Sequence, residues 1–261
     1  MNKVLAAIRK HYQTPLTLVG LLLLWQAAVM IFKIPEVFLP SPLSALEHLF
    51  VEQPDANYSW DRHIIATVKE VLISFGMTAT VAIAIAVIIT WSRNLRDIIL
   101  PAFIFITSLP IIAVAPIILL WFGYGLSTNV LIAFLVSFFP VVINVSRGLS
   151  AVEDDLLDLV RYLNASKWQV FVKIRFPNSL PYIFSGLKIC STMVIVGAIV
   201  GEFIASDHGL GYIIINSQYT MDTPPIFASL IIVSLLGAGL FGVVTLAERI
   251  LMPWKRGSEI Q

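Results

Sequence analysis

The chain has 261 residues, 58% of them hydrophobic and only 13% charged, with a net charge of +1 and a mean hydropathy of +0.88. A soluble domain carries roughly a quarter charged residues, so this composition excludes an ordinary water-soluble protein and indicates a chain that crosses a membrane several times. The single cysteine, Cys190, excludes an intrachain disulfide and a cysteine-based metal site; within its apolar run it reads as a small buried hydrophobe.

Six apolar runs follow one another at 16–32, 71–91, 98–122, 128–145, 183–205 and 226–247. Each is near the roughly 20 residues that span about 30 Å of hydrocarbon at 1.5 Å per residue. Backbone polar groups cannot stay unpaired in lipid, so all six are read as helices. The expected fold is therefore all-α, a polytopic membrane protein forming one transmembrane domain over 1–261. The first run follows Lys3, Arg9 and Lys10 in the manner of a signal peptide, but it is long for one. Lys33-Ile34-Pro35 then follows without a small-residue cleavage site, so the run is read as an uncleaved span.

After the first span come Pro35, Pro40 and Pro42, with Ser41 placed as an N-cap before a proline at the first helical position. Leu43, Leu46, Leu49 and Phe50 recur at helical spacing, predicting a short amphipathic helix, followed by a polar loop from Gln53 to Arg62. The third run contains Pro101, Pro110 and Pro116, and the fourth Pro140. Proline removes a helical hydrogen bond and kinks or breaks the helix. In a membrane such irregularity is tolerated where protein or a water-filled cavity meets the freed groups. Pro110 and Pro116 are thus candidates for lining a translocation pathway. The fifth run carries Glu202 near one end, where either a pathway role or a hydrogen-bonding role at the helix end is open. Gly197 and Gly201, one turn apart, favour close helix approach. Gly209-Leu210-Gly211 then predicts a turn into a short helix over 212–218.

Fourteen of the 17 basic residues fall on one side if the N-terminus is inside; only Lys33, Arg62 and Lys69 fall on the other. The excess of Lys and Arg marks the cytoplasmic side. Both termini and the charged segment 151–181, AVEDDLLDLVRYLNASKWQVFVKIRFPNSLP, are expected there.

That segment is long for a connection, and it is patterned. Leu156, Leu159, Val160 and Leu163 recur on one helical face. Glu153, Asp154 and Asp155 suit the positive end of the helix dipole. Asn164 tolerates the left-handed conformation of a helix C-terminal cap. Ser166-Lys167-Trp168-Gln169 then has the form of a capping box. Two short helices are predicted with a sharp corner at 164–166, the second carrying Trp168, Phe171 and Val172 and stopping before Pro177.

With these residues in place, the segment resembles the EAA loop of the permease subunits of ATP-binding-cassette importers, whose pattern is EAA, three residues, G, nine residues, then I-x-L-P. Asp158, Leu159 and Val160 stand at the EAA positions, Asn164 at the glycine, and Ile174, Phe176 and Pro177 at I, L and P. Asp158 keeps the glutamate's charge, while Leu159 and Val160 are bulkier than alanine. Three further stretches, FLPSPLSALEHL (38–49), SLPIIAVAPIILLWFGYG (108–125) and GEFIASDHGLGYII (201–214), resemble the nitrate, sulfonate and taurine branch of that family.

The resemblance implies a type I importer permease fold in the bacterial cytoplasmic membrane, with cytoplasmic coupling helices that dock two ATPase subunits. It also implies a second permease copy, a homodimer in the usual case, and an external solute-binding protein that delivers a small solute. ATP and Mg²⁺ are expected in the ATPase partners and no cofactor on this chain. The ATPase-coupling residues carried over are Asp158, Leu159, Val160, Leu163, Asn164, Ala165, Ser166, Trp168, Ile174 and Pro177. Lipid surrounds the spans, and no nucleic acid is expected as a partner.

The residues themselves point away from an enzyme. There is no P-loop, G-x-S-x-G or H-E-x-x-H pattern, and His11, His48, His63 and His208 are scattered rather than clustered as ligands. An ion-coupled secondary transporter is the alternative reading, with Glu202 the main acid inside a predicted span.

Overall fold

The computed structural model describes residues 2–50 and 59–254, and among these every regular element is helical. The chain begins with α1 (Asn2–Phe32) and α2 (Pro42–Phe50). It continues through α3 (Trp60–Thr90), α4 (Arg93–Thr107), α5 (Ile111–Phe122) and α6 (Leu126–Ser150). Then come α7 (Asp154–Tyr162), α8 (Lys167–Val170), a π-helical turn (Phe171–Arg175), α9 (Phe176–Ala205), α10 (Leu210–Thr220) and α11 (Thr223–Leu251). Most of the predicted polar loop after Phe50 and the basic residues Lys255 and Arg256 lie outside the described residues.

Four helical runs are long and apolar enough to cross a membrane: Trp60–Thr90, Leu126–Ser150, Lys167–Ala205 and Thr223–Leu251. Counting the bent pair Asn94–Thr107 and Ile111–Phe122 as one makes five, and Val19–Phe32 is a shorter apolar helix. The third run, expected as one span over 98–122, is thus two helices meeting at 92°. The break falls at Pro110, whose extended backbone (φ −70°, ψ 100°) starts α5. Pro101, Pro116 and Pro140 are absorbed inside α4, α5 and α6. Pro110 ends the helix because its ring cannot donate the bond that would continue α4.

The chain divides into two compact units, 1–60 with 213–232, and 61–212 with 233–261. In the first, the Ser41 side chain accepts a 3.0 Å bond from Ser44 N–H, capping α2 as its sequence predicts. Pro42 and Ala45 are the buried residues of α2, whereas Leu43, Leu46 and Phe50 are exposed. The apolar face of this helix is therefore turned outward. Trp25 packs on Phe227 with ring centroids 5.3 Å apart, and Thr223 Oγ1 donates to Val37 O at 2.6 Å.

The second unit is centred on α6 and α9. Gly197 and Gly201 make their close approach possible: a Cβ on Gly197 would lie 2.5 Å from Ala133 Cα, and one on Gly201 2.8 Å from Asn129 Cα. Neither position has room for a side chain, so backbone meets backbone as small residues allow. Around this pair Ala82, Ala86 and Ile89 of α3 pack with Val141, Val142 and Val145 of α6 and Ile183 and Cys190 of α9. Cys190 is fully buried there.

Candidate functional site

The segment from Ala151 to Pro181 folds as a helix, a corner and a second helix. α7 ends in a Schellman-type cap: Leu163 N–H bonds Leu159 O at 3.1 Å, Ala165 N–H reaches back to Val160 O at 3.0 Å, and Asn164 has φ of 52°. Asparagine occupies this left-handed position at small cost because its short polar side chain suits it. Ser166 opens the next helix with a reciprocal capping box. Its N–H donates to Gln169 Oε1 at 2.8 Å, and its Oγ accepts from Gln169 N–H at 3.3 Å.

Contrary to the expected stop before Pro177, this second helix does not end. α8 passes through the π turn, where Phe176 N–H bonds Phe171 O, into α9, giving an unbroken helical run over Lys167–Ala205. The π turn admits Pro177 because that residue then falls in the first turn of α9, where its missing N–H disturbs little.

The apolar stripe of α7 is split by this geometry. Leu157 and Val160 turn inward to a cleft with Ala165, while Leu156, Leu159, Leu163 and Tyr162 are exposed. Trp168 is also exposed and stacks on Phe171 with ring centroids 5.8 Å apart. Ile174 is half-buried and Pro177 exposed.

One contact ties the segment to a span, and two more hold its ends and their flanking helices together. Phe171 meets Trp91, at the end of α3, with centroids 5.7 Å apart. Asn178 Nδ2 donates to Ala151 O at 3.3 Å, joining the segment's two ends. Gly148, in α6, lies against the Tyr182 side chain of α9 and leaves no room for a Cβ.

At the opposite ends of α3 and α9 lies a buried polar cluster. His63, Thr67, Glu70, Ser74 and Thr78 form an inward stripe along α3, each nearly or wholly buried. Glu202, fully buried, accepts from Thr67 Oγ1 at 2.5 Å with one oxygen and from Gly211 N–H at 2.5 Å with the other. Thr67 Oγ1 in turn accepts from Leu210 N–H at 2.9 Å, and His63 Nδ1 accepts from Gly209 N–H at 2.9 Å. Asn129 Nδ2 donates to Glu70 Oε1 at 2.8 Å, and Thr78 and Ser137 share a 2.9 Å bond between α3 and α6. The turn at 209–211 is thus bound by three consecutive amide N–H groups to side chains of α3 and α9. On its exposed approach, the hydrogen bond from His208 holds the Asp207 carboxyl below its usual range.

Glu202 is therefore enclosed in a hydrogen-bonded cluster. Pro110 and Pro116 are exposed on the chain's surface. Sequence reading passed over Glu70, because hydropathy starts the second span at residue 71 whereas α3 begins at Trp60. The signal was present in the helical spacing of residues 63, 67, 70, 74 and 78. It also passed over the pair formed by Lys188 Nζ and Glu248 Oε2, 2.5 Å apart between α9 and α11. Among the described residues no group of three or more His, Cys, Asp or Glu side chains could hold a metal ion.

Residues 76–253 match the family described as "Binding-protein-dependent transport system inner membrane component". The chain is 32% identical over 241 residues to the riboflavin transport system permease protein of Chloroflexus aurantiacus, covering 92% of this chain and 89% of that one. It is 29% identical over 236 residues to the formylaminopyrimidine transport permease protein of Halalkalibacterium halodurans, covering 90% and 93%. A putative aliphatic sulfonates transport permease protein of Bacillus subtilis is 26% identical over 236 residues, covering 90% and 85%.

Proposed function

We propose, from the premise that this chain belongs to the family of binding-protein-dependent transport system inner membrane components, that it is the membrane subunit of an ATP-driven importer of a small solute. Two copies form the pathway in the bacterial cytoplasmic membrane. Each crosses it six times, α1 being the first crossing and the bent α4–α5 pair the third. Both termini and the 151–181 segment face the cytoplasm, where two ATPase subunits dock and supply the ATP and Mg²⁺ chemistry. A solute-binding protein delivers its cargo from the other side. Relatives named for riboflavin, formylaminopyrimidine and aliphatic sulfonates support a small polar solute, with selection made largely by the binding protein.

The observation that carries this reading is the corner at Asn164, with its exposed edge of Leu156, Leu159, Leu163 and Trp168. Docking buries that edge in the ATPase. Closure of the ATPases on ATP then displaces a stiff element, and the continuous run Lys167–Ala205 carries the displacement into α9. The contacts Phe171–Trp91 and Gly148–Tyr182 pass it to α3 and α6. Because packed helices move as bodies rather than deforming, the spans rock between inward-facing and outward-facing arrangements. Pro110, at the bend between α4 and α5, and Pro116, inside α5, face the pathway between the two copies.

The test is purification of the chain with its neighbouring subunits and reconstitution into vesicles. An ATPase should co-purify, and uptake should require ATP inside and binding protein outside. Uptake driven by an ion gradient in the absence of any ATPase would overturn the reading in favour of a secondary transporter.

A further inference from the structure

We infer that the buried cluster of α3, α6 and α9 is a proton-binding site: one proton is held on Glu70 Oε2, so that Glu70 stands neutral beside an ionised Glu202. The two carboxyl groups lie within hydrogen-bonding reach of each other, and Gly201, next to Glu202, lies against Asn129. Glu70 is 1% exposed and Glu202 0%. Both oxygens of Glu202 have donors, the Thr67 hydroxyl and the Gly211 N–H. Glu70 Oε1 has Asn129 Nδ2, but Glu70 Oε2 and Asn129 Oδ1 are buried with no hydrogen-bond partner.

Two ionised carboxylates side by side in a buried site repel each other and forfeit their hydration. Among the described residues no basic side chain forms an ion pair with either one. The titratable groups around them are His63, Arg62 and Lys69 of α3, Asp207 and His208 before the 209–211 turn, and Tyr212 of α10. His63 turns its Nδ1 to the backbone of Gly209 and stacks on Tyr212, and His208 pairs with Asp207. Arg62 and Lys69 are exposed. From α6 the pair meets the uncharged Asn129. A proton on Oε2 removes the repulsion and turns an unmet acceptor into a donor. Its acceptors are the Glu202 carboxylate and Asn129 Oδ1, on the amide already bonded to Glu70. Glu70 also lines a cleft of about 430 Å³ with Arg62, Lys69, Leu126 and His208, which gives the proton a route to solvent away from the 151–181 segment. The site stands apart from ATPase docking.

The full chain, purified with whatever subunits accompany it, is measured by infrared spectroscopy at about pH 7, where ordinary Asp and Glu side chains are ionised. The carbonyl band of a protonated carboxylic acid is expected, shifted in D₂O and absent from Glu70→Gln. Glutamine keeps an oxygen for Asn129 and places an NH₂ donor where the proton sat, so the variant should fold. The folded chain carries one proton more than the unfolded chain, whose glutamates ionise at about pH 4.3. Raising the pH therefore favours unfolding, by at most about tenfold in the folded-to-unfolded ratio per pH unit. From about pH 6 to about pH 9 the thermal midpoint of the unaltered chain should fall relative to that of Glu70→Gln. The same carboxylic acid signal in both proteins would overturn the proposal, as would parallel pH dependence of their midpoints. Stabilisation of the unaltered chain by sodium or calcium, lost in Glu70→Gln and without a carboxylic acid band, would assign the site to a metal ion and likewise overturn it. ATPase co-purification, measured on the same samples, reports separately on the docking role.

Discussion

Thr67 and Glu202 stand 135 residues apart in sequence and are joined by a 2.5 Å hydrogen bond inside the protein. The bond links α3 to the end of α9, and the second carboxylate oxygen of Glu202 holds the amide of Gly211. The turn after α9 is thereby fastened to two spans at once, and a buried acid that would be costly alone is met by donors on both oxygens.

Glu202→Ala should leave the Gly211 amide and the Thr67 hydroxyl without their acceptor, costing about 2–3 kcal/mol. Glu202→Gln should cost less, because its amide oxygen can still accept from Gly211 and its NH₂ can donate to Thr67 Oγ1. Thermal unfolding of the purified protein ranks the two variants. If alanine and glutamine lower the midpoint equally, the turn-fastening role is wrong. Slowed uptake by Glu202→Gln at unchanged stability would instead assign it a pathway role.

Gly209 has φ of +110°, and a Cβ there would run into the Glu202 carboxylate. Gly209→Ala is therefore expected to be more damaging than alanine at Gly239, which has open space around it. The expected loss at Gly209 is at least about 2 kcal/mol, from backbone strain and displacement of the acid. Faster amide hydrogen exchange at 209–211 should accompany it. Equal stability of the two variants would contradict the geometry.

At the corner of the proposed docking segment, Asn164→Gly should preserve ATP-driven uptake, since glycine adopts φ of 52° freely. Asn164→Val should impair it, because a β-branched residue pays heavily in that region. The strain is about 1–2 kcal/mol, enough to shift or fray the end of α7. Uptake and substrate-stimulated ATP hydrolysis, measured on both variants, check this. Identical activity would remove the corner from the coupling mechanism.

Asp158→Lys reverses a charge on the exposed side of α7 while leaving the helix ladder intact. Weaker ATPase retention during purification is expected, and the deficit should shrink as salt is raised, since screening weakens interactions between exposed charges. Unchanged retention and uptake would show that the acidic position is not part of the docking surface.

Much of the segment 151–181 was legible because its signals are local. An asparagine after an apolar-periodic run and a serine three residues before glutamine are readable without knowing what surrounds them, and the Asn164 corner and the Ser166–Gln169 box follow from them. The helix boundary at Pro177 was misread for an equally local reason. A proline ordinarily signals a stop, but here a π turn shifts the register so that it begins α9. The direction of the apolar faces was not legible. Leu156, Leu159 and Leu163 have the spacing of core residues yet are exposed, because only packing decides whether an apolar stripe meets this chain, a partner or lipid.

By itself, the sequence determined the membrane class, the helical character and the approximate limits of most spans, because these depend on apolar length and on backbone groups that lipid will not solvate. It also marked Gly197 and Gly201 as small residues one turn apart that permit close helix approach, while the fold decided that α6 is the helix they meet. Only the tertiary structure decided that Pro110 breaks its span where Pro101 and Pro116 do not. The same holds for the polar stripe of α3, which meets Glu202, Asn129 and the 209–211 turn. Those partners lie some 60 to 145 residues away, and a buried polar group is satisfied by whatever the fold brings to it. Local spacing can announce such a group, but distance along the chain conceals its partner.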